Sequence, residues 1–368
     1  MKYVRMAIER ESPEELGYGN IRYNLSESSI RDRRLSDFKI TLPDLLLFYG
    51  EHRGDPELRA LIASQADNLK PSDVLITAGA AGALFIIATT LLSPEDHLVV
   101  VRPNYATNIE TPRAIACQIS FIDLNFASRF ELDVGAVLAA IRPNTKLISV
   151  TTPHNPTGMV ISIDQLERLA KAAKDHHCHL LVDETYRDLS LDTPLPVAAS
   201  LSPCVISVSS MSKAYGIPGI RTGWLITRDG ELMMRFLAAK EQIGICGSVV
   251  DEWIAAEVLR QRQDFLSVLT VETKRRLQMV RDWIRQGPLI EWVEPRGGVV
   301  CFPRVAHLAR FDPDTFYPRL LQRHGTYVGP GHWFEMPKEH FRVGYMWPTE
   351  DELKAGLNAI SQALREST

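Results

Sequence analysis

The chain lacks most of what would mark a protein as exported, metal-stapled or bound to a polyanion. Five cysteines occur in 368 residues (Cys117, Cys178, Cys204, Cys246 and Cys301); the number is odd, they are scattered, and none forms a CxxC pair. Such spacing suggests neither a disulfide framework nor a zinc site, so no metal is expected and a reducing cytoplasm is the expected compartment. Positive charge is not in excess. With 41 Lys and Arg against 45 Asp and Glu, the formal charge is -4, which leaves no basic footprint for a nucleic acid or an anionic membrane. The opening stretch, "MKYVRMAIERESPEELGYG", carries charges every few residues and has no apolar core of signal-peptide type. One uncharged run, Val74 to Leu92, has the length of a membrane span. Its interior, "ITAGAAGALF", passes from β-branched to small to helix-forming residues, which reads as a buried strand turning into a buried helix. Repeats, low-complexity tracts and flexible linkers are missing too, so any domains are expected to be tightly docked. The remainder, 45% hydrophobic and 23% charged, is an ordinary globular composition whose default partner is a small molecule.

What is present is an alternation. From about residue 74, apolar β-branched runs take turns with amphipathic helical stretches, the pattern of a mostly parallel sheet covered by helices. Strands are expected in "DVLITAG", "HLVVVRP", "CQISFIDL", "TKLISVTTP", "CHLLVDETY", "CVISVSS" and "GWLITR". Several are apolar on consecutive residues, as strands buried on both faces are. Between them, residues 162–177 place Leu166, Leu169, Ala170 and Ala173 on one face with charges opposite. "GDPELRALIASQ" opens another helix, with Asp55 as N-cap and Pro56 at the first helical position. After residue 250 come long charged helices, then short strands in "GGVVCFPR", "GTYVGP" and "HFRVGYM", and a last helix from about Glu350. The expected architecture is α/β: a large domain over residues 45–265 with a mostly parallel seven-stranded sheet, and a smaller α+β domain built from residues 1–44 and 266–368.

In open α/β sheets, ligands bind beyond the carboxyl ends of the strands. The first expected strand ends in Gly79, Ala80, Ala81 and Gly82 and enters a helix, offering free N–H groups to an anion such as phosphate. "PNYATN" presents Tyr105, and "HNPTG" holds the amide of Asn155 at a strand end. Asp183 directly follows Leu180, Leu181 and Val182, where an acid is costly to bury without a cation or donor; Glu184 and Tyr186 come next. "SSMSKAYGIPGIRTGW" then supplies Ser210, Lys213 and, eight residues on, Arg221. A lysine or arginine at a strand exit is, taken alone, an ordinary surface residue. Together these groups describe a cradle for pyridoxal 5'-phosphate (PLP). A lysine amine forms a Schiff base with the aldehyde, and burial lowers its pKa enough to make it nucleophilic. An aspartate keeps the pyridine nitrogen protonated so that the ring serves as an electron sink. Asparagine and tyrosine can hydrogen-bond the ring hydroxyl, an aromatic ring can stack on the cofactor, and arginine with Ser210 and backbone N–H groups can neutralise the phosphate.

The set "TAGAAGALF", "HNPTG", "VDETY", "SSMSKAYGIPGIRTGW" and "FRVGY" resembles fold-type I PLP enzymes of the class I/II aminotransferase family, over nearly the whole chain. The resemblance implies that Lys213 is the Schiff-base lysine, Asp183 the pyridine partner, and Asn155 and Tyr186 the ligands of the ring hydroxyl. It also implies that Tyr105 stacks on the ring, that Gly79, Ala80, Ala81, Ser210 and Arg221 hold the phosphate, and that Arg342 pairs with the substrate α-carboxylate. Tyr49, in "FYGEHRGDPELR", matches a tyrosine that reaches the phosphate of a neighbouring subunit, which implies a homodimer with shared active sites. Ser26 and Glu27 fall in a substrate-contacting segment; Glu27 is either a ligand for a guanidinium, a surface acid, or a partner for Arg22 or Arg31. This chain departs from many relatives in having only alanines, Ala80 and Ala81, where a hydroxyl residue stands in the phosphate turn.

Three activities are compatible with such a cradle. The first is an aminotransferase acting on an L-amino acid with a keto acid as co-substrate. The second is a cyclase or eliminase, because "SKAYGIPGIRTGW", "PRGGVVCFPR" and "RHGTYVGPGHWF" look like the branch containing capreomycidine synthase, which dehydrates and cyclises a hydroxylated arginine. A PLP-binding regulator is the third, disfavoured by the presence of Lys213 and by the lack of an added DNA-binding domain.

Overall fold

A computed structural model describes residues 1–306 and 311–367; residues 307–310 and 368 of the expected small domain lie outside the described residues. The uncharged run beginning at Val74 divides as its residue types dictate. Its β-branched start is a strand, Val74–Ala78, and its small and straight-chain remainder is a helix, Gly79–Leu91. Numbering strands along the chain, β1 is Tyr23–Asn24, and the central sheet comprises β2 (Val74–Ala78), β3 (His97–Arg102), β4 (Gln118–Asp123), β5 (Thr145–Thr151), β6 (His179–Asp183), β7 (Val205–Ser210) and β8 (Thr222–Thr227). The sheet has seven strands in the order β2-β8-β7-β6-β5-β3-β4. Only β8 runs against its neighbours. Because β8 is antiparallel to both β7 and β2, the ends of β2, β5, β6 and β7 still emerge at one edge, with Thr151 opposite Asp183 and Ser210 opposite Gly223.

Local chemistry fixes the flanking helices. Ser162 and Gln165 form a capping box on the helix Ile163–Asp175, whose Leu166, Leu169, Ala170 and Ala173 are buried. Asp55 accepts from the Leu58 N–H at 2.8 Å ahead of Pro56–Ala63. The charged stretch after residue 248 is two helices, Val249–Arg260 and Arg262–Gln286, meeting at Gln261.

Beyond them lie short strands: β9 (Ile290–Glu291), β10 (Val300–Cys301), β11 (Arg304–Val305), β12 (Thr326–Tyr327), β13 (Gly329–Pro330) and β14 (Phe341–Gly344). β10, β14 and β13 form one sheet, β9 pairs with β11, and β1 pairs in parallel with β12. The N-terminal stretch is thus hydrogen-bonded into the C-terminal third of the chain. It is also packed there: a Cβ on Gly344 would stand 1.7 Å from the Glu27 carbonyl oxygen, and one on Gly356 2.5 Å from Leu25. The terminal helix Glu350–Arg365 is tied to the long helix by Trp283 Nε1 donating to Ser361 Oγ at 2.8 Å.

Glu184, at the exit of β6, is 5% exposed and accepts from the Ala198 N–H at 3.1 Å. Burial pushes its pKa from 4.5 up to about 7, against the pull of Arg187 and its hydrogen bonds. The unfolded carboxyl ionises first as pH rises, so Glu184 costs nothing below about pH 4.5, costs progressively more up to about pH 7, and a constant amount above. Glu184→Gln should therefore gain stability over the parent across that window, by on the order of 3 kcal/mol at 1.36 kcal/mol per pKa unit. Urea denaturation of both proteins from pH 4.5 to 8 checks this; a gap independent of pH would contradict it.

Candidate functional site

Where the strands end, a cavity of about 460 Å³ opens between the sheet edge, the N-terminal segment and β14. Lys213 lies three residues past β7 on its wall, half-buried, and its Nζ donates to Ser28 Oγ at 3.0 Å. Burial pulls the Lys213 pKa down; Glu27 opposes this and Arg342 reinforces it. A lysine held this way loses its proton more readily than one in water, as a nucleophilic amine requires.

Asp183 ends β6 at 4% exposure. One carboxylate oxygen accepts from the Thr185 backbone N–H at 3.2 Å and its hydroxyl at 2.6 Å; the other accepts from Asn108 Nδ2 at 3.3 Å. Burial nonetheless raises its pKa above the usual carboxylate value. None of these hydrogen bonds comes from a cation, so Asp183 is an acid prepared for a cationic partner from the cavity.

Tyr186, three residues on, is buried and donates from its hydroxyl to the Ser28 carbonyl at 2.7 Å. Asn155, 5% exposed, accepts through Oδ1 from Arg342 Nη1 at 3.1 Å. Arg342, 4% exposed, also donates from Nη2 to the Ser26 carbonyl at 2.5 Å, while its Nε is buried without a partner. A buried guanidinium with an unused donor on a cavity wall is a ready anion ligand.

The anion cradle sits across the cavity. Helix Gly79–Leu91 has no side-chain cap, so the first-turn N–H groups of Gly79, Ala80 and Ala81 are left to a ligand or water. Gly79 has φ +70°, and a Cβ there would fall 2.6 Å from an Arg221 nitrogen. A Cβ on Gly223, which faces Thr77 in the sheet, would fall 2.4 Å from the Gly79 carbonyl carbon. The two glycines therefore let the turn and Arg221 close on one another. Arg221 lies at the rim, its Nη1 on the Pro218 carbonyl at 2.9 Å, and Ser210 is buried with its hydroxyl 2.7 Å from that of Ser212. Tyr105 completes the wall, half-buried.

The structure thus brings Ser26, Glu27, Ala80, Ala81, Tyr105, Asn155, Asp183, Tyr186, Ser210, Lys213, Arg221 and Arg342 to one cavity, with Gly79 directly behind. Tyr49 does not join them; it is 80% exposed, beside Leu46, Leu47 and Phe48, which are 60–76% exposed. The open alternatives for Glu27 are narrowed: Arg31 pairs with Glu352 at 2.8 Å, Arg22 lies over the Tyr23 ring, and Glu27 accepts from the Tyr18 hydroxyl at 3.0 Å. Sequence reasoning missed Asn108 and Thr185, which fix Asp183, and Ser28, which meets both Lys213 and Tyr186. Asp183 and Thr185 have the i, i+2 spacing of an Asx turn, the signal that was available. It also missed Arg5, Glu14 and Trp333, whose positions depend on how the N-terminal segment folds back.

The sequence model of the Aminotransferase class I and II family matches residues 15–360. Capreomycidine synthase of Streptomyces vinaceus is 29% identical over 326 residues, covering 88% of this chain and 82% of that protein. Among solved structures, a PLP-dependent aminotransferase from Streptococcus suis superposes with a TM-score of 0.91 at 27% identity, covering 100% of this chain and 99% of the other. The PLP-dependent cyclase OrfR superposes with a TM-score of 0.89 at 25% identity, with the same coverage. The cavity fits that cofactor by its own chemistry. An uncapped helix N-terminus with an arginine suits a phosphate, a buried acid suits a protonated ring nitrogen, and an amine of lowered pKa suits an aldehyde. The chain belongs to the class I and II aminotransferase family and is an enzyme that uses pyridoxal phosphate.

Proposed function

We propose that the enzyme transfers the amino group of an L-amino acid to a keto acid. The observation that carries this reading is the unpartnered Nε of buried Arg342, in the same cavity as Lys213 and Asp183. Bound PLP supplies an electron sink that weakens a bond at the substrate Cα. Everything else belongs to the chain. Lys213, on the cavity wall with a lowered pKa, would hold the cofactor through Nζ, and as a free amine it is the chain's own base for moving the proton at the substrate Cα. Asp183, held by Thr185 and Asn108, would partner the ring nitrogen. Asn155 and Tyr186 would address the ring hydroxyl, Tyr105 would pack on the ring, and Gly79, Ala80, Ala81, Ser210 and Arg221 would hold the phosphate. Arg342 binds the α-carboxylate with two parallel hydrogen bonds, a geometry lysine cannot supply.

The homodimer belongs to the same proposal. Leu46, Leu47, Phe48 and Tyr49 are exposed in succession in the single chain, and contiguous exposed apolar surface of that kind marks a contact with another protein. A second copy would cover it and bring its Tyr49 towards this phosphate. The unit boundaries near residues 45 and 265 and a cytoplasmic setting are part of the reading, the latter resting on free cysteines alone. A cyclase or dehydratase acting on an arginine-like amino acid is the second reading, favoured by the likeness to capreomycidine synthase and to a PLP-dependent cyclase.

Wild-type enzyme should consume its amino acid only when a 2-keto acid is present, forming one new amino acid per keto acid used. Lys213→Ala should lose turnover by at least about 10³-fold and should no longer retain PLP covalently after borohydride reduction. Products formed without any keto acid would replace transamination by the cyclase reading. A Lys213→Ala protein that still fixes PLP covalently would remove Lys213 from its role.

A further inference from the structure

The N-terminal wall of the cavity is acidic. Glu9, Glu14, Glu15 and Glu27 line it, with Arg5 as the only cation contributed from that segment. Arg5 is taken by Glu15 at 3.2 Å, which leaves Glu9, Glu14 and Glu27 with no ion pair among the described residues. Glu27 is aimed rather than loose. Its carboxylate is held by the Tyr18 hydroxyl at 3.0 Å, and Tyr18 stacks on Trp347 at 6.0 Å and 15°. The wall itself is pinned: Glu11 receives His332 Nε2 at 2.7 Å and Trp333 Nε1 at 2.8 Å, and its carbonyl accepts from the Tyr327 hydroxyl at 2.6 Å. Burial raises the Glu27 pKa, Lys213 lowers it, and the charge of Glu14 raises it further, so the two acids feel one another.

The cations inside are already committed once an amino acid and its cofactor are present. Lys213 and Arg221 serve the cofactor and Arg342, with its free buried Nε, the α-carboxylate. Three carboxylates then remain without an ion pair among the described residues on the N-terminal wall. We propose that the substrate is an L-amino acid with a cationic side chain, an ammonium or guanidinium held by Glu27 and Glu14. This rests on the amino-acid reading above. A carboxylate placed among these acids would meet like charge beside half-buried Glu27, whereas a cation gains charge-assisted hydrogen bonds. Dicarboxylic amino acids should therefore be excluded.

The test is spectral titration of the PLP-loaded enzyme with L-arginine, L-lysine, L-norleucine and L-glutamate, reading the cofactor absorbance as ligand binds. Arginine or lysine should bind at least about tenfold more tightly than norleucine, which has the chain length without the charge, and glutamate should bind most weakly. Arginine against lysine separates guanidinium from ammonium. In Glu14→Gln/Glu27→Gln, the ratio of cationic to norleucine affinity should fall towards one. The single variant Glu14→Gln, at an exposed residue, should lower that ratio without loss of bound PLP. Norleucine or glutamate binding as tightly as the cations, or a double variant that keeps the preference, would overturn the inference. Failure of the enzyme to take up PLP, or binding of none of the four, would instead strike the amino-acid reading beneath it.

Discussion

One guanidinium joins the parts of the molecule that make the site. Arg342 projects from β14, yet its hydrogen bonds run to Ser26 in the N-terminal segment and to Asn155 after β5 of the central sheet. At 4% exposure the charge is almost wholly out of water, which costs several kcal/mol when the ion lacks a full set of partners. Nη1 and Nη2 each have one partner and Nε has none. The arrangement holds three distant stretches of chain in register and leaves Nε and a second N–H for an anionic ligand. The close fit of Gly344 against the Glu27 carbonyl keeps the same segment from drifting away.

The electrostatics of the cavity follow from this placement. Burial with Arg342 nearby lowers the pKa of Lys213, while Glu27 restrains the shift. Burial raises Asp183, and Thr185 and Asn108 pull it back. Each group is held between two opposing pressures. In the proposed roles a ring cation would satisfy Asp183, an aldehyde would take up the amine, and an anion would complete the cradle formed by Arg221 and the turn at Gly79. Positioning side chains and fixed dipoles before the reactants arrive is what makes a site efficient, since nothing need reorganise during reaction.

Much of this was legible in the residues. Strand ends could be read because apolar runs such as "HLLVD" stop abruptly at a charge, and the Gly79–Ala81 turn because small residues separate a strand pattern from a helix pattern. Lys213 and Arg221 gained meaning only when those ends were taken together. Ser28, Asn108 and Glu14 were not found, for a common reason. Their neighbours are distant in sequence: Ser28 meets Lys213 185 residues away and Asn108 meets Asp183 75 residues away. No periodicity or spacing encodes such contacts. The left-handed backbone of Arg221, φ +43°, was likewise invisible, because arginine gives no signal for it.

These fixed charges suit a single phosphorylated aldehyde. The direct measurement is the unfolding temperature of cofactor-free protein titrated with PLP or with pyridoxal, which lacks the phosphate. Ligand that binds only the folded state stabilises it, by about 2.7 kcal/mol at a hundred times its Kd. A rise of several degrees is expected with micromolar PLP, and a far smaller one with pyridoxal at equal concentration. An unfolding temperature indifferent to PLP, or raised equally by both, would contradict it.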